Sequence, residues 1–262
     1  GSFVKTDKYR YPLYRVPDNF YKIELAKYPF YSKFNGLPKV IRGRIQNKSI
    51  LPFYTREEID YKNALYGKDL EIVWCDNDID VFFLHIQGSG IVQISDTQFI
   101  RVNYADQNGH QYKPIGKYLI DKGLVAREDM SMQTLKKYLV DHPEEKQEIF
   151  SYNPSYVFFR IVDTGPLGNI EVPLTPYRSI ATDVRIFPKG ALCFIETEKP
   201  IFNSDNEIIG WLPFKRFVMN QDTGGAIRGP ARTDLFTGFG KISEQTAGML
   251  KNPGNLWFLI KK

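Results

Sequence analysis

A chain of 262 residues holds one large domain or two ordinary ones, and 42% hydrophobic content is ample for a core. The net charge of +5 comes from 35 basic and 30 acidic residues with no block of like charges. That excludes a nucleic-acid arm and gives an anionic polymer only weak attraction. Two cysteines exclude a disulfide scaffold, and no apolar run reaches transmembrane length.

The chain opens Gly1-Ser2-Phe3, with neither an initiator Met nor a signal peptide. We read this as a processed or excised start, so the lack of a leader says nothing about destination. With 16 Tyr and 19 Phe the sequence favours pleated surfaces, and exposed Tyr also suits sugar stacking. Tyr9 to Pro17 alternates between prolines like an edge strand. Phe20–Leu25 and Val40–Ile45 predict two more strands around a turn at Gly36 and Pro38. Thr55 and Glu58 form a capping box, which predicts a helix from Arg56 to about Tyr66.

Asp69 to Cys75 reads as a strand, followed by a cap in Asp76-Asn77-Asp78 and a helix with Ile79, Phe82, Phe83 and Ile86 on one face. Gln87-Gly88-Ser89-Gly90 then reads either as a plain loop or as an amide and a hydroxyl aimed at a sugar. Ile91–Ile94 and Gln98–Tyr104 predict a hairpin, and Gln107-Asn108-Gly109-His110 a tight turn. Three short helices are expected around Ile115–Ile120, Met132–Leu139 and after Pro143, the last stopped by Asn153-Pro154. Tyr156–Phe159 is a strand, and Asp163–Asn169 is the best domain boundary.

Beyond that boundary strand and turn dominate. Asp183 falls between Ile180-Ala181 and the alternating pair Val184 and Ile186. Ala191–Glu196, Ile208–Trp211, Phe214–Asn220 and Leu256–Ile260 read as strands, with turns at Pro188–Gly190 and Asn203–Asn206. Ser243 is the expected cap of a short helix through Leu250. Cys75 and Cys193 sit in apolar strand-like runs and read as buried free thiols.

His85, His110 and His142 are scattered, so no metal is expected, and neither a nucleophile elbow nor a phosphate- or dinucleotide-binding loop occurs. No cofactor is expected. What remains is carboxylate chemistry. Asp222 stands where a strand meets the glycine turn Gly224-Gly225, and Asp234 stands just before Leu235-Phe236, where the chain re-enters the sheet. Each reads either as a turn aspartate or as a cleft carboxylate suited to glycoside chemistry. With its apolar neighbours, Asp234 is the natural acid.

These motifs carry a resemblance. FFLHIQGSG (82–90), NGHQYKPIGKYLIDKG (108–123), EDMSMQTLKKY (128–138), NPSYVFF (153–159), ATDVRIFPKG (181–190), QDTGGAIRGPARTDLFTGFG (221–240) and GNLWFLI (254–260) occur in order over most of the chain. In this the sequence resembles the membrane-bound lytic murein transglycosylase A family. The resemblance implies a mainly β protein. A double-psi β-barrel over residues 163–262 would carry the catalytic aspartate, and residues 1–162 would form an inserted mixed β domain with a few short helices. A groove between the two would hold a peptidoglycan glycan strand. Asp234 matches the catalytic acid/base, Asp183 and Asp222 match supporting barrel aspartates, Gln87 and Ser89 match sugar-contacting residues, and Gly225 belongs to the same glycine motif.

The implied reaction cleaves the N-acetylmuramic acid–N-acetylglucosamine bond without water and leaves a 1,6-anhydromuramyl end. The implied setting is periplasmic, anchored to the outer membrane in the full-length protein by an anchor outside this chain. The protein would be a monomer and would not bind nucleic acid, with other cell-wall enzymes as further partners. The family's Gly-Tyr-Tyr-x-Pro motif, expected upstream of Tyr11-Pro12-Leu13-Tyr14, is absent from the chain, which implies that part of the groove lies outside it. Two alternatives stand: an inverting β-1,4-glycan hydrolase with Asp222 or Asp183 as base to a water, and a non-catalytic wall-glycan-binding module.

Overall fold

The computed structural model describes residues 1–33, 36–205 and 207–260. Its strands are β1 (Tyr11–Tyr14), β2 (Phe20–Glu24), β3 (Val40–Gln46), β4 (Ser49–Pro52), β5 (Glu71–Cys75), β6 (Ser89–Gln93), β7 (Phe99–Gln107), β8 (Val157–Val162), β9 (Ser179–Ala181), β10 (Ala191–Phe202), β11 (Ile208–Asp222), β12 (Asp234–Leu235) and β13 (Asn255–Phe258). The α-helices are α1 (Arg56–Asp60), α2 (Asp78–Gln87), α3 (Ile115–Asp121), α4 (Met132–Asp141), α5 (Lys146–Tyr152) and α6 (Lys241–Met249). The protein is mainly β with few helices, and no described helix is long and apolar enough to cross a membrane. The chain divides into two compact units, Gly1–Met130 with Leu135–Asp163, and Ser131–Thr134 with Thr164–Lys262.

In the first unit, β1 pairs with β5, β2-β3-β4 form one antiparallel sheet, and β6-β7-β8 form another. Period-two alternation sends neighbouring β1 side chains into different apolar clusters. Leu13 joins Val73, Val92, Val102, Val157 and Phe159, whereas its neighbour Tyr14 joins Phe53, Ile59, Leu65, Leu70, Tyr156 and Phe158. Each fully buried Phe or Leu here contributes roughly 1.5–3 kcal/mol.

The capping box forms: Thr55 Oγ1 accepts from Glu58 N at 3.3 Å, and Glu58 Oε2 accepts from Thr55 N at 2.7 Å. The helix it starts ends at Asp60, not near Tyr66. Asn63 takes a left-handed φ of 56°, and the chain turns back to bury Leu65. Asn77 caps α2 through Oδ1, which accepts from Ile79 N at 2.9 Å and Asp80 N at 3.1 Å. Gly88, with φ 79°, ends it. Arg56, at the start of α1, is fully buried. It lies over the rings of Phe82 and Tyr156, with Nη1 on Asp60 at 3.2 Å and Nη2 on Ser155 O at 2.9 Å.

The second unit is built on one mixed five-stranded sheet, a curled half-barrel in the order β12-β9-β11-β10-β13. Ile180, Cys193, Ile195, Phe214 and Val218 make its core. β10 and β11 run antiparallel along nearly their full length, and β9 joins β11 in parallel only near Met219–Asp222. The runs expected as two strands, 208–211 and 214–220, are thus one strand of 15 residues. Pro213 is tolerated inside it because β9 has not yet joined there.

Other expectations change too. Val184 and Ile186 form no strand; Asp183 starts a turn, and both apolar side chains are exposed. Ser243 does not cap α6, which starts after Gly240 at φ 85°; its hydroxyl donates to Thr237 O instead. Ser89 opens β6 rather than a loop, and β4 had no sequence signal of its own. Gln107–His110 bends into the core, where Asn108 Nδ2 donates to Tyr54 O and Pro154 O, each at 2.8 Å. Of the Asn203–Asn206 turn, Asn206 lies outside the described residues. Cys193 is buried and Cys75 half-buried, both free, and burial pushes each thiol up to about 11.

Candidate active site

The candidate site lies where β9 ends. Ala181, its last residue, is the register partner of Asp222 on β11 and of Asp234 on β12. Two carboxylates that are twelve positions apart in sequence are therefore brought into one cross-strand row. At ordinary strand spacing their backbones stand about 10 Å apart. The sequence put each aspartate at a sheet junction; only β9, three residues long, makes them neighbours.

Directly after Ala181 come Thr182 and Asp183, both fully buried. Asp183 Oδ1 accepts from Arg185 N at 3.0 Å and Arg185 Nε at 2.9 Å, while Oδ2 accepts from Arg185 Nη2 at 2.6 Å and Gly229 N at 2.8 Å. The Arg185 guanidinium beside it, helped by the two backbone N–H groups, holds this carboxyl well below the usual carboxylate range against the opposing effect of burial. With no exposed surface and both oxygens engaged, Asp183 acts as a clamp. It fastens the 223–233 loop to the end of β9.

Asp222 differs. Its carboxyl is half-buried, and burial pushes it above the usual range. Hydrogen bonds from the backbone N–H groups of Thr223 and Asn169 and the Lys189 charge oppose that shift, while the Asp234 charge adds to it. Its Oδ1 accepts from Asn169 N at 3.1 Å. Beside it, Thr223 Oγ1 is buried without a hydrogen-bond partner among the described residues.

Beneath the row sits Lys189, which the sequence places only in a turn. Its Nζ donates to Thr182 O at 3.0 Å, Thr182 Oγ1 at 3.1 Å and Asn220 Oδ1 at 3.1 Å, and also reaches Asp222 O. Burial lowers its ammonium from the ordinary lysine value, opposed by the Asp222 and Asp183 charges. Asn220, fully buried, completes the network: Oδ1 accepts from Thr182 Oγ1 at 2.9 Å, and Nδ2 donates to Pro188 O at 2.7 Å. The only sequence signal for Lys189 and Asn220 was their place at a strand end and a turn, and both types are usually solvated there.

Asp234 is partly exposed and paired. Arg232 Nε donates to Oδ1 and Nη2 to Oδ2, each at 2.9 Å. The same guanidinium donates through Nη1 to Ala226 O at 2.9 Å. The loop between the two aspartates is thereby held at Ile227, which is buried, at Gly229, and at Arg232. The left-handed backbone falls at Gly229, with φ 84°; Gly225 has open space on its Cβ side. Gln87, exposed at the end of α2, and Ser89, half-buried at the start of β6, belong to the first unit.

The family model for the MltA specific insert domain matches residues 1–160, and the 3D domain model matches residues 178–260. A curated relative, membrane-bound lytic murein transglycosylase A of Vibrio cholerae, is 37% identical over 89% of this chain and 59% of its own length. The chain thus spans about three fifths of that relative. A membrane-bound lytic murein transglycosylase from Agrobacterium tumefaciens aligns with TM-score 0.84 at 34% identity, over 98% of this chain and 69% of that one. Escherichia coli MltA with bound chitohexaose aligns with TM-score 0.75 at 28% identity, over 98% and 67%. The chain belongs to the membrane-bound lytic murein transglycosylase A family.

Proposed function

We propose that this protein is a peptidoglycan lytic transglycosylase in which Asp234 is the single acid/base. The carrying observation is the row formed by Asp222, Ala181 and Asp234: a partly exposed carboxylate at the sheet edge beside a half-buried one, on a rigid frame. Protonated Asp234 donates to the glycosidic oxygen between N-acetylmuramic acid and N-acetylglucosamine. The muramyl C6 hydroxyl attacks C1 and passes its proton back to Asp234, giving a 1,6-anhydromuramyl end. An internal nucleophile removes the need for a second carboxylate to activate water. Asp222 tunes the charge around Asp234, Asp183 and Gly225 keep the loop shaped, and Gln87 and Ser89 contact the glycan. The half-barrel sheet is read as part of a double-psi β-barrel of residues 163–262, with residues 1–162 as the inserted domain. The setting is the periplasm, at the outer membrane. The relatives' names and the chitohexaose complex support a glycan substrate.

Asp234→Asn is the test. It should lower release of anhydromuropeptides from purified sacculi by roughly 10²–10⁴-fold, the usual contribution of general acid–base help. Full lysis by this variant refutes the assignment. An inverting hydrolase is the second reading. Asp222, in the same cross-strand row as Asp234, would be its base to a water. Reducing ends in place of anhydro ends would favour it.

A further inference from the structure

As Asp234 stands, it is arranged to receive hydrogen bonds rather than to give a proton. Both its oxygens accept from the Arg232 guanidinium at 2.9 Å, in the parallel fork that matches a carboxylate. A protonated carboxyl presents an O–H on one of those oxygens, and a guanidinium, which has donors only, cannot receive it. The acid of the proposed reaction therefore requires this fork to open. The Arg232 and Asp234 side chains keep 49% and 44% of their surface. Arg232 is also bound through Nη1 to Ala226 O on a loop that Asp183 fastens at Gly229. The guanidinium is thus held in place and still reachable from solvent.

What can take a guanidinium from a carboxylate is another carboxylate. Muramyl glycans carry one, on the lactyl group where the strand is bare and on the stem peptide where it is not; chitin-type glycans carry none. We propose that Arg232 is a specificity-determining and positioning residue that binds a substrate carboxylate and, in doing so, releases Asp234. One anion replaces another on the guanidinium, and the freed Asp234 carboxylate takes a proton from solvent to become the acid. This rests on the transglycosylase reading and adds to it that recognition of the muramyl anion arms the catalyst. A neutral glycan would bind without releasing Asp234.

The test measures binding, cold and before turnover, of three probes: a peptide-free muramyl oligosaccharide, a peptide-bearing muramyl oligosaccharide and chitohexaose. Wild-type protein should bind at least one muramyl probe more tightly than chitohexaose, by on the order of 10- to 100-fold for a charge-assisted fork. Whichever muramyl probe carries the preference identifies the carboxylate. Arg232→Gln should abolish that preference while chitohexaose binds as before, which also shows that the variant is folded; Arg232→Lys should retain part of it. Asp234→Asn should widen the preference for the muramyl probe over chitohexaose, because Arg232 has lost its internal competitor; a merely structural Arg232 would give no such gain. Equal weakening of all three probes in Arg232→Gln, or an undiminished preference, overturns the proposal. Product ends from sacculi are scored separately. Anhydro ends with an unchanged preference sink this inference alone, and reducing ends with the preference abolished sink the transglycosylase reading alone.

Discussion

Replacing Asn220 with Ala tests whether the buried network beneath the aspartate row holds β9 in register. The substitution removes the donor to Pro188 O at 2.7 Å and the acceptor for Thr182 Oγ1 at 2.9 Å and Lys189 Nζ at 3.1 Å. Lys189 keeps Thr182 O and Asp222 O, so its charge is not stranded. Pro188 O loses its donor and the Thr182 hydroxyl its acceptor, and water cannot readily replace them because Asn220 and Thr182 have no exposed surface. At about 1–3 kcal/mol for each of the two stranded groups the loss is about 2–6 kcal/mol, centred on about 4 kcal/mol. For a unit of roughly 100 residues, the central value lowers Tm by about 16–32 °C. Thermal unfolding followed by tryptophan fluorescence reads this, since Trp211 and Trp257 both lie in the second unit. A drop of less than about 3 °C would refute the view that this network, rather than the apolar core, fixes β9 against β11.

Further outcomes follow from the same physics. Asp183→Asn should destabilise the second unit, because whichever way the amide is turned its NH₂ faces a backbone N–H, of Arg185 or of Gly229. The folded carboxyl of Asp183 is depressed, so its contribution is present above the unfolded value of about 4 and lost as pH falls below it. The wild-type-minus-variant Tm difference should therefore shrink in acid. His85, buried and lowered well below its ordinary value, stays neutral while the unfolded chain takes a proton. Stability of the first unit should then fall as pH drops below about 6.5. His85→Leu should flatten that slope while lowering stability at pH about 8, because Val157 N loses its acceptor at 3.1 Å. Gly229→Ala should cost about 1–2 kcal/mol in urea unfolding from its left-handed backbone alone. Asp222→Asn keeps the acceptor for Asn169 N, so sacculus digestion should fall less than in Asp234→Asn.

The local chemistry was legible in the sequence. The Thr55–Glu58 capping box, the Asn77 cap and the strand at Val157–Phe159 each depend on residues within a few positions of one another. So does the location of Asp222 and Asp234 at sheet junctions, and the ordered motifs were enough to indicate the family. The tertiary structure alone decided what each charged group faces. Asp183 reads in sequence as a supporting site carboxylate and is a buried clamp; Lys189 and Asn220 read as turn and strand-end residues and hold the row together; Arg232, two residues before Asp234, carries no local signal and occupies both its oxygens. Even Arg56, which the sequence marks only as the first residue of a helix, is interior because two rings and Asp60 lie there to receive it. The physical reason is range. Caps, turns and alternation are set by backbone geometry over one or two turns of chain. The charge state and exposure of a side chain depend on whichever strand is laid beside it, and β9, only Ser179 to Ala181, carries almost no sequence signal while bringing Asp222 and Asp234 together.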